Sequence, residues 1–140
     1  MAVEAKRVDI WVGGLEDRPG GLAEKLCPLA EAGAQLEYVM ARRAPDKPGA
    51  GVLFVAPVKG ARQTAAARKA GLHKARSLAA VKAEGRDKPG LGSAMTCALA
   101  EAGVNLHGMS ASVIGNKFVL WLALDGAKDA AKAVRVLKKL

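Results

Sequence analysis

The sequence predicts an α+β protein made of two tandem copies of one small domain, each in the order strand, helix, strand, strand, helix, strand. The main observation is an internal repeat at an offset of seventy residues. Asp17-Arg18-Pro19-Gly20 recurs as Asp87-Lys88-Pro89-Gly90, and Leu29-Ala30-Glu31-Ala32-Gly33 recurs as Leu99-Ala100-Glu101-Ala102-Gly103. A period of half the chain length is typical of a duplicated unit. We therefore expect one domain over residues 1–76 and a second over 77–140.

The first copy begins with a predicted strand, because Val8, Ile10 and Val12 alternate with more polar or smaller residues. The Asp-Arg-Pro-Gly turn follows, and Asp17 is expected to accept amide hydrogen bonds where the helix starts. Leucines at helical spacing then predict a helix that stops at Gly33. Pro28 inside that helix removes one backbone hydrogen bond, so a kink is expected there.

The rest of the first copy follows from turn composition. Two extended runs, 34–43 and 51–58, are joined by Pro45-Asp46-Lys47-Pro48-Gly49, which favours a hairpin turn over a third repeat. A helix over 61–70 and a last strand over 72–78 complete the expected order.

The second copy has a shorter hairpin loop and ends early. Val119–Ala123 matches Val52–Ala56 at an offset of 67 residues, and a helix over 127–140 ends the chain. No residues remain for an eighth strand. We expect the second sheet to be three-stranded, or to be completed by another segment or chain.

The chain is basic, with a net charge of +9 and cations gathered over 62–86 and 128–139. Such charge attracts polyanions. However, aromatic residues make up only 4% of the chain and stand mostly singly in strand runs, which favours core packing over platforms for bases. Nucleic-acid binding is thus the less favoured alternative.

Other classes of function lack their sequence signals. The longest apolar runs, 52–58 and 118–124, are too short to cross a bilayer, so we expect a cytoplasmic protein without membrane contact. Cys27 and Cys97 are related by the repeat and are expected to be small buried thiols. His73 and His107 are not related by it, and no nucleophile motif, metal cluster, phosphate loop or dinucleotide fingerprint is present. A binding protein without catalysis, metal or cofactor is therefore expected.

The repeated pattern resembles a known family. A strand, then Asp-Arg-Pro-Gly-Gly-Leu, a helix closing on Leu-Ala-Glu-Ala-Gly and, in the second copy, a strand opening with Val104-Asn105-Leu106 are similar to the ACT domain, a ferredoxin-like βαββαβ module that binds amino acids. The whole chain resembles free-standing bacterial proteins made of two ACT domains. The resemblance implies a regulatory or sensor protein that binds a free amino acid between ACT domains, forms a homodimer and has a regulated enzyme as a possible partner.

The resemblance also implies which residues contact the ligand: those of the turn after the first strand and those that open the next strand. In the second copy these are Asp87, Lys88, Pro89, Gly90 and Leu91, with Asn105 and Leu106; in the first they are Asp17, Arg18, Gly20 and Gly21, with Gln35 and Leu36. Amide donors at a helix start suit the carboxylate of a zwitterionic amino acid, and Asp87 with Asn105 suit its ammonium.

Alternatives remain open for these residues. Asp17 and Asp87 are equally suited to capping a helix, and Asn105 to bonding its own backbone. Gln35 departs from the family's usual Asn, and Gly92 stands where the first copy has Leu22, so Leu91 and Met95 are expected to pack the second helix instead. A purely structural dimerisation module on the same fold is a further alternative. The sequence does not name the amino acid.

Overall fold

The computed structural model describes residues 3–140. The elements run β1 (Glu4–Val8), β2 (Trp11–Glu16), α1 (Gly21–Glu31), β3 (Tyr38–Arg43), β4 (Ala50–Ala56), α2 (Gly60–Lys69), β5 (His73–Lys74), β6 (Ala79–Arg86), α3 (Leu91–Glu101), β7 (Leu106–Ile114), β8 (Lys117–Leu124) and α4 (Ala127–Leu137). The chain divides into two compact units, of which one is Asp9–Ala75 and the other combines β1 with Arg76–Leu140.

The first unit has a four-stranded antiparallel sheet in the order β3-β4-β2-β5. Its core joins the two helices to one face of the sheet, through Trp11, Leu29, Leu53, Val55, Ala67 and Leu72. This is the predicted βαββαβ arrangement. Its last strand is shorter than the expected run over 72–78, since only two residues pair with β2.

The second unit has the sheet order β1-β6-β8-β7, so the chain's first strand completes its last sheet. β1 pairs antiparallel with β6, from Glu4 opposite Glu84 to Val8 opposite Ala80. It takes the position beside β6 that β5 takes beside β2. The second sheet is therefore four-stranded, completed by another segment of the same chain.

This pairing moves a boundary relative to the sequence expectation, which assigned residues 1–76 to the first domain. Residues 1 and 2 of that range lie outside the described residues. Val8 ends β1, and the strand of the first unit begins afresh at Trp11. The reason is burial: Val3 and Ala5 are 5% and 7% exposed within the second core, where Ala5 lies opposite Ala83.

The second core is the larger of the two and draws on both helices. Leu91, Met95 and Leu99 are the buried residues of α3, which confirms the expectation that the helix packs around Gly92. Ala130, Ala133 and Leu137 form the buried face of α4. Small side chains on α4 allow the helix to lie close to the sheet.

Both first helices of the units stop at the predicted glycines. Gly33 and Gly103 have φ of +86° and +77°, a conformation that glycine adopts without steric cost. Their amides return to Ala30 and Ala100, closing the helix ends. Pro28 lies inside α1, which continues to Glu31.

A second pair of contacts obeys the repeat although the sequence analysis did not identify it. The Arg62 guanidinium donates to the carbonyl oxygen of Glu31 at 2.9 Å, and the Lys132 ammonium donates to that of Ala102 at 3.3 Å. Both cations come from the second helix of their unit and meet the carbonyl end of the first. A cation at this position satisfies orphan carbonyls and complements the helix dipole.

We predict that Ala5→Asp destabilises the second unit selectively, by about 2–4 kcal/mol, because a carboxylate replaces a methyl group in the core. Hydrogen exchange should show lost amide protection over 76–140 and retained protection over 9–75. Lys6→Asp, one residue along on the other face of β1, is the matched control and should have little effect. Loss of protection in 9–75 instead would place β1 with the first sheet.

Candidate functional site

The two Asp-x-Pro-Gly turns join β2 to α1 and β6 to α3. Gly20 and Gly90 stand immediately before the helices with φ of +87° and +79°. No side chain among residues 3–140 caps the start of either helix. The expectation that Asp17 acts as a helix cap was therefore wrong. The amides of Gly21 and Leu91 donate to the carbonyl oxygens of Arg18 and Lys88, which leaves the second and third amides of each helix available to an acceptor from outside.

Charged side chains around the first turn are paired with one another. Arg18 donates to Glu16 at 2.5 Å and also to Glu24, while Arg43 donates to Asp17 at 2.9 Å. The hydrogen bond from Arg18 lowers the pKa of Glu16, and the two carboxylates raise the pKa of Arg18. The first turn is thus a closed set of ion pairs.

The lowered pKa of Glu16 gives the pair a defined pH dependence. A carboxyl group whose pKa is depressed by folding contributes stability above its unfolded pKa, and this is lost as the pH falls through the folded value. The pair therefore acts at neutral pH and is lost in acid. Its contribution is small because both side chains face solvent.

A shallow hollow of about 260 Å³ adjoins the first turn. Besides residues of the turn, it is lined by the end of β3, by Leu22 and by Gly51. Gln35 and Leu36 do not line it.

The second turn has the same backbone but a different charge environment. Asp87 and Lys88 are exposed, and no ion pair or hydrogen bond involves either side chain among the described residues. The Asp87 amide donates to the carbonyl oxygen of Asn116 at 2.8 Å, which fixes the turn against the tip of the β7–β8 hairpin. A hollow of about 190 Å³ adjoins it, lined by Val3, Arg86, Asp87, Lys88, Leu91 and Leu140.

The other half of the expected site lies elsewhere in each unit. β6 and β7 both pair antiparallel with β8, so they run in the same direction. The turn at Asp87 follows the end of β6, whereas Asn105 and Leu106 stand at the start of β7. Arg86 lies opposite Lys117 of β8, and Leu106 lies opposite Leu124. These two residues of β8 are seven positions apart, so the turn and the start of β7 are separated by about 23 Å along the strand direction. One amino acid cannot touch Asp87 and Asn105 of the same unit.

The same separation holds in the first unit. Glu16 lies opposite Ala50, and Tyr38 lies opposite Ala56 at the other end of β4. Gln35 is exposed, and Leu36 packs against the core. The structure therefore brings the turn residues together and leaves the strand-start residues apart from them.

Residues 79–140 match the family model described as the ACT domain. The first unit repeats the same turn, helix and order of elements. The second unit is an ACT domain, and the first unit has the same fold.

Solved structures share this fold over nearly the whole chain. Protein BT0572 from Bacteroides thetaiotaomicron is 18% identical with a TM-score of 0.77, and the match covers 96% of this chain and 89% of that one. The ligand-free regulatory subunit of aspartate kinase from Thermus thermophilus is 18% identical with a TM-score of 0.68, covering 99% and 96%. Clostridium acetobutylicum aspartate kinase is 15% identical with a TM-score of 0.59, covering 96% and 33%. Curated protein sequences give no significant match.

Several remaining side chains of the two units differ from expectation or lie away from the turns. Cys27 and Cys97 are exposed, so the prediction of buried thiols was wrong: both face away from the leucine stripe of their helix.

His107 lies near Asp125, with Nδ1 to Oδ1 at 3.6 Å, at the strand start and away from the turn. Within residues 3–140, no group of three potential metal ligands is found. None of the described helices has the length and apolar character needed to cross a membrane.

Gly21 has a packing role that its glycine neighbours lack. A Cβ at Gly21 would lie 2.0 Å from the carbonyl oxygen of Glu16, so the close approach of helix and strand requires glycine. The repeat places Leu91 at the equivalent position and Gly92 opposite Leu22. A Cβ at Gly92 would meet Phe118 at an ordinary 3.9 Å.

We predict opposite outcomes for two glycine substitutions, one at the start of α1 and one at the start of α3. Gly21→Ala should destabilise the first domain by about 1–3 kcal/mol, because backbone must move to admit the methyl group. Gly92→Ala should be neutral or stabilising by up to about 1 kcal/mol, since alanine favours the helix and fits the space. Urea denaturation measures both; equal losses would contradict the backbone contact at Gly21.

Proposed function

We propose that this protein is a regulatory sensor that binds a free amino acid at the second Asp-x-Pro-Gly turn, without catalysis of its own. The observation that carries the proposal is the unpaired set of charges there: a carboxylate, an ammonium and uncapped helix amides lie beside one hollow. A zwitterion carries the complementary charges in a single small molecule.

Each part of an amino acid has a matching group at this turn. Asp87 accepts hydrogen bonds from the α-ammonium, while Lys88, Arg86 and the amides of Gly92 and Ser93 bind the α-carboxylate. The apolar part of the hollow, formed by Val3, Leu91 and Leu140, then receives the side chain. Pro89 and Gly90 shape the turn and do not themselves recognise the ligand.

The first turn offers less to such a ligand. Its Asp17, Arg18 and Glu16 already form ion pairs, which a ligand would have to break. Gly20 and Gly21 supply a helix start of the same kind, so a second, weaker site there is part of the proposal. The second turn is the main site.

Asn105 enters the proposal through a second copy of the chain. β7 is the edge strand of its sheet, nine residues long and without Lys, Arg, Asp or Glu. The opposite edge, β1, has three charged residues among five, as natural edge strands commonly do. Met109 and Val113 on β7 are each 48% exposed. A long, uncharged edge with exposed apolar side chains suits pairing with another strand.

The sequence of β7 is suited to antiparallel pairing with itself. With a twofold axis at Ala111, Met109 of one copy lies opposite Val113 of the other, and Ser110 opposite Ser112. Directly opposed side chains then share size and polarity. The same pairing sets the start of one β7 beside the hairpin tip of the other copy, where Asn116 bonds the Asp87 amide. Asn105 of a second copy thereby lies at the same end of the paired sheets as the turn at Asp87.

The solved structures similar in fold support the regulatory part of the proposal. Two of them are described as a regulatory subunit of aspartate kinase and as an allosteric aspartate kinase. We propose by analogy that the partner of this chain is an enzyme of amino-acid metabolism, which places the protein in the cytoplasm.

We predict that one or more of the twenty amino acids raises the melting temperature in a thermal-shift screen, because binding stabilises the folded state. Calorimetry with the best amino acid should then show that Asp87→Ala and Asn105→Leu each weaken binding about tenfold or more, as expected for a lost charge-assisted hydrogen bond of about 1.5–3 kcal/mol. Asp17→Ala is the matched control at the first turn and should have a smaller effect.

Unchanged affinity in both second-domain variants, with the fold intact, would move the site elsewhere. Loss of binding in Asp87→Ala alone would keep the turn and remove Asn105 from the site.

We predict that Val113→Lys shifts the protein from dimer to monomer, because lysine on an edge strand opposes pairing. Val39→Lys is the matched control, since Val39 is similarly exposed, at 44%, on the edge strand of the first sheet. Analytical ultracentrifugation under reducing conditions measures both. A dimer that survives Val113→Lys would exclude β7 as its interface, and a dimer that binds no amino acid would favour the purely structural alternative.

A further inference from the structure

The outward face of α4 carries a row of cations unrelated to the amino-acid site. Lys128, Lys132, Arg135 and Lys139 follow one another at intervals of four, three and four residues, which aligns them along one side of a helix. The buried face of α4, formed by Ala130, Ala133 and Leu137, is on the opposite side. Lys128 to Arg135 span about 10 Å along the helix axis, and Lys139 follows two residues after the end of α4.

No carboxylate interrupts this row. The single acidic residue of α4, Asp129, lies on the flank of the helix, and the remaining outward positions are Ala127, Ala131 and Lys138. Among the described residues, no ion pair involves a cation of α4. The charge of the row is therefore not neutralised by the protein itself.

Comparison with the first unit gives a structural reason for three of the cations on and just after α4. Lys132, Lys138 and Lys139 correspond to Arg62, Arg68 and Lys69 of the first unit, at an offset of seventy. The first of these contacts a helix end, and the other two stand at a helix C-terminus, where the dipole favours cations.

Two cations of the row have no counterpart in the first unit, and of these only Arg135 stands in the last turn of α4, where the dipole favours it. Lys128 and Arg135 stand where the first unit has Val58 and Ala65, and both side chains are exposed. Lys128 is also in the first turn of α4, where the helix dipole disfavours positive charge. With these two residues, the cations near the helix end become part of a continuous row along one side of α4.

We infer that the outward face of α4 binds the phosphate backbone of duplex nucleic acid, without reading bases. A linear row of cations matches a partner with regularly repeated negative charge. The exposed apolar residues of α4, Ala127 and Ala131, are small, so no large apolar side chain is available to insert into a lipid surface. No aromatic residue lies on the helix, so the face offers no stacking for single strands.

The scarcity of aromatic residues, which weighed against nucleic acid in the sequence analysis, does not oppose this inference. Stacking platforms serve the recognition of unpaired bases, whereas contacts to phosphates position a protein on a duplex with no aromatic contribution. The inference is independent of the amino-acid site, because no residue of the row lines the hollow at Asp87.

Fluorescence anisotropy with a short mixed-sequence DNA duplex tests the inference, across about 50 to 200 mM salt. With four phosphates contacted, the slope of log K against log salt should be about −3.6. Lys128→Ala with Arg135→Ala should reduce its magnitude by about two. Arg68→Ala with Lys69→Ala removes the same charge from α2 and should leave the slope unchanged.

Three results would overturn the inference. Equal weakening by the two double variants would mean attraction by net charge alone. An unchanged slope in the α4 variant would place the contacts elsewhere. Competition by polyglutamate as effective as that by the duplex, at equal charge concentration, would identify an acidic protein as the partner.

Discussion

The antiparallel pairing of β1 with β6 is the contact on which the second domain depends. Without it, the sheet would end at β6, and Ala83 and Val81 would lose the neighbour that covers the sheet edge on the helix side. The first domain has its own β5 in that position, made from the residues that follow its second helix. In the second domain that position is taken by β1, the strand that precedes the first domain. The second domain is thereby built from two segments of the chain, and each domain has a separate core.

The repeat preserves backbone more faithfully than it preserves charge. In both turns a glycine with positive φ precedes the helix, and the aspartate amide donates to a backbone carbonyl oxygen in the neighbouring hairpin. In the first turn, Arg18 and Arg43 are held by carboxylates from within the domain. In the second, Glu24 and Arg43 have no charged equivalents, since Ala94 stands in the helix and β7 contains no charged residue. One duplicated backbone thus supports a self-neutralised turn in one copy and an open, charged turn in the other.

The direction of the strands separates the two groups of residues that we propose contact the ligand. Because β6 and β7 are parallel neighbours of β8, a turn after β6 and a residue before β7 lie at opposite ends of the sheet. A contact between them requires a second sheet turned end for end. The uncharged edge of β7 is available for that arrangement, whereas the charged edge of β1 is not. The distribution of charge on the edges and the position of the site residues therefore point to the same pairing.

Local signals in the sequence were sufficient for most of the fold. The seventy-residue repeat, the Asp-x-Pro-Gly turns and the stop at Gly33 and Gly103 determined the two copies, their helices and their hairpins, because turn geometry and helical periodicity depend on neighbouring residues. The packing of α3 through Leu91 and Met95 followed from the same periodicity. Only the tertiary structure decided three features: that β1 pairs with β6, that Asp17 pairs with Arg43, and that both cysteines are exposed. Each of these depends on which distant segment lies beside a residue, and a strand carries no local mark of the sheet that it joins. The separation of about 23 Å between Asp87 and Asn105 is a feature of the same kind. The sequence motif identified both residues, but only the register of β6, β8 and β7 determined that they lie apart.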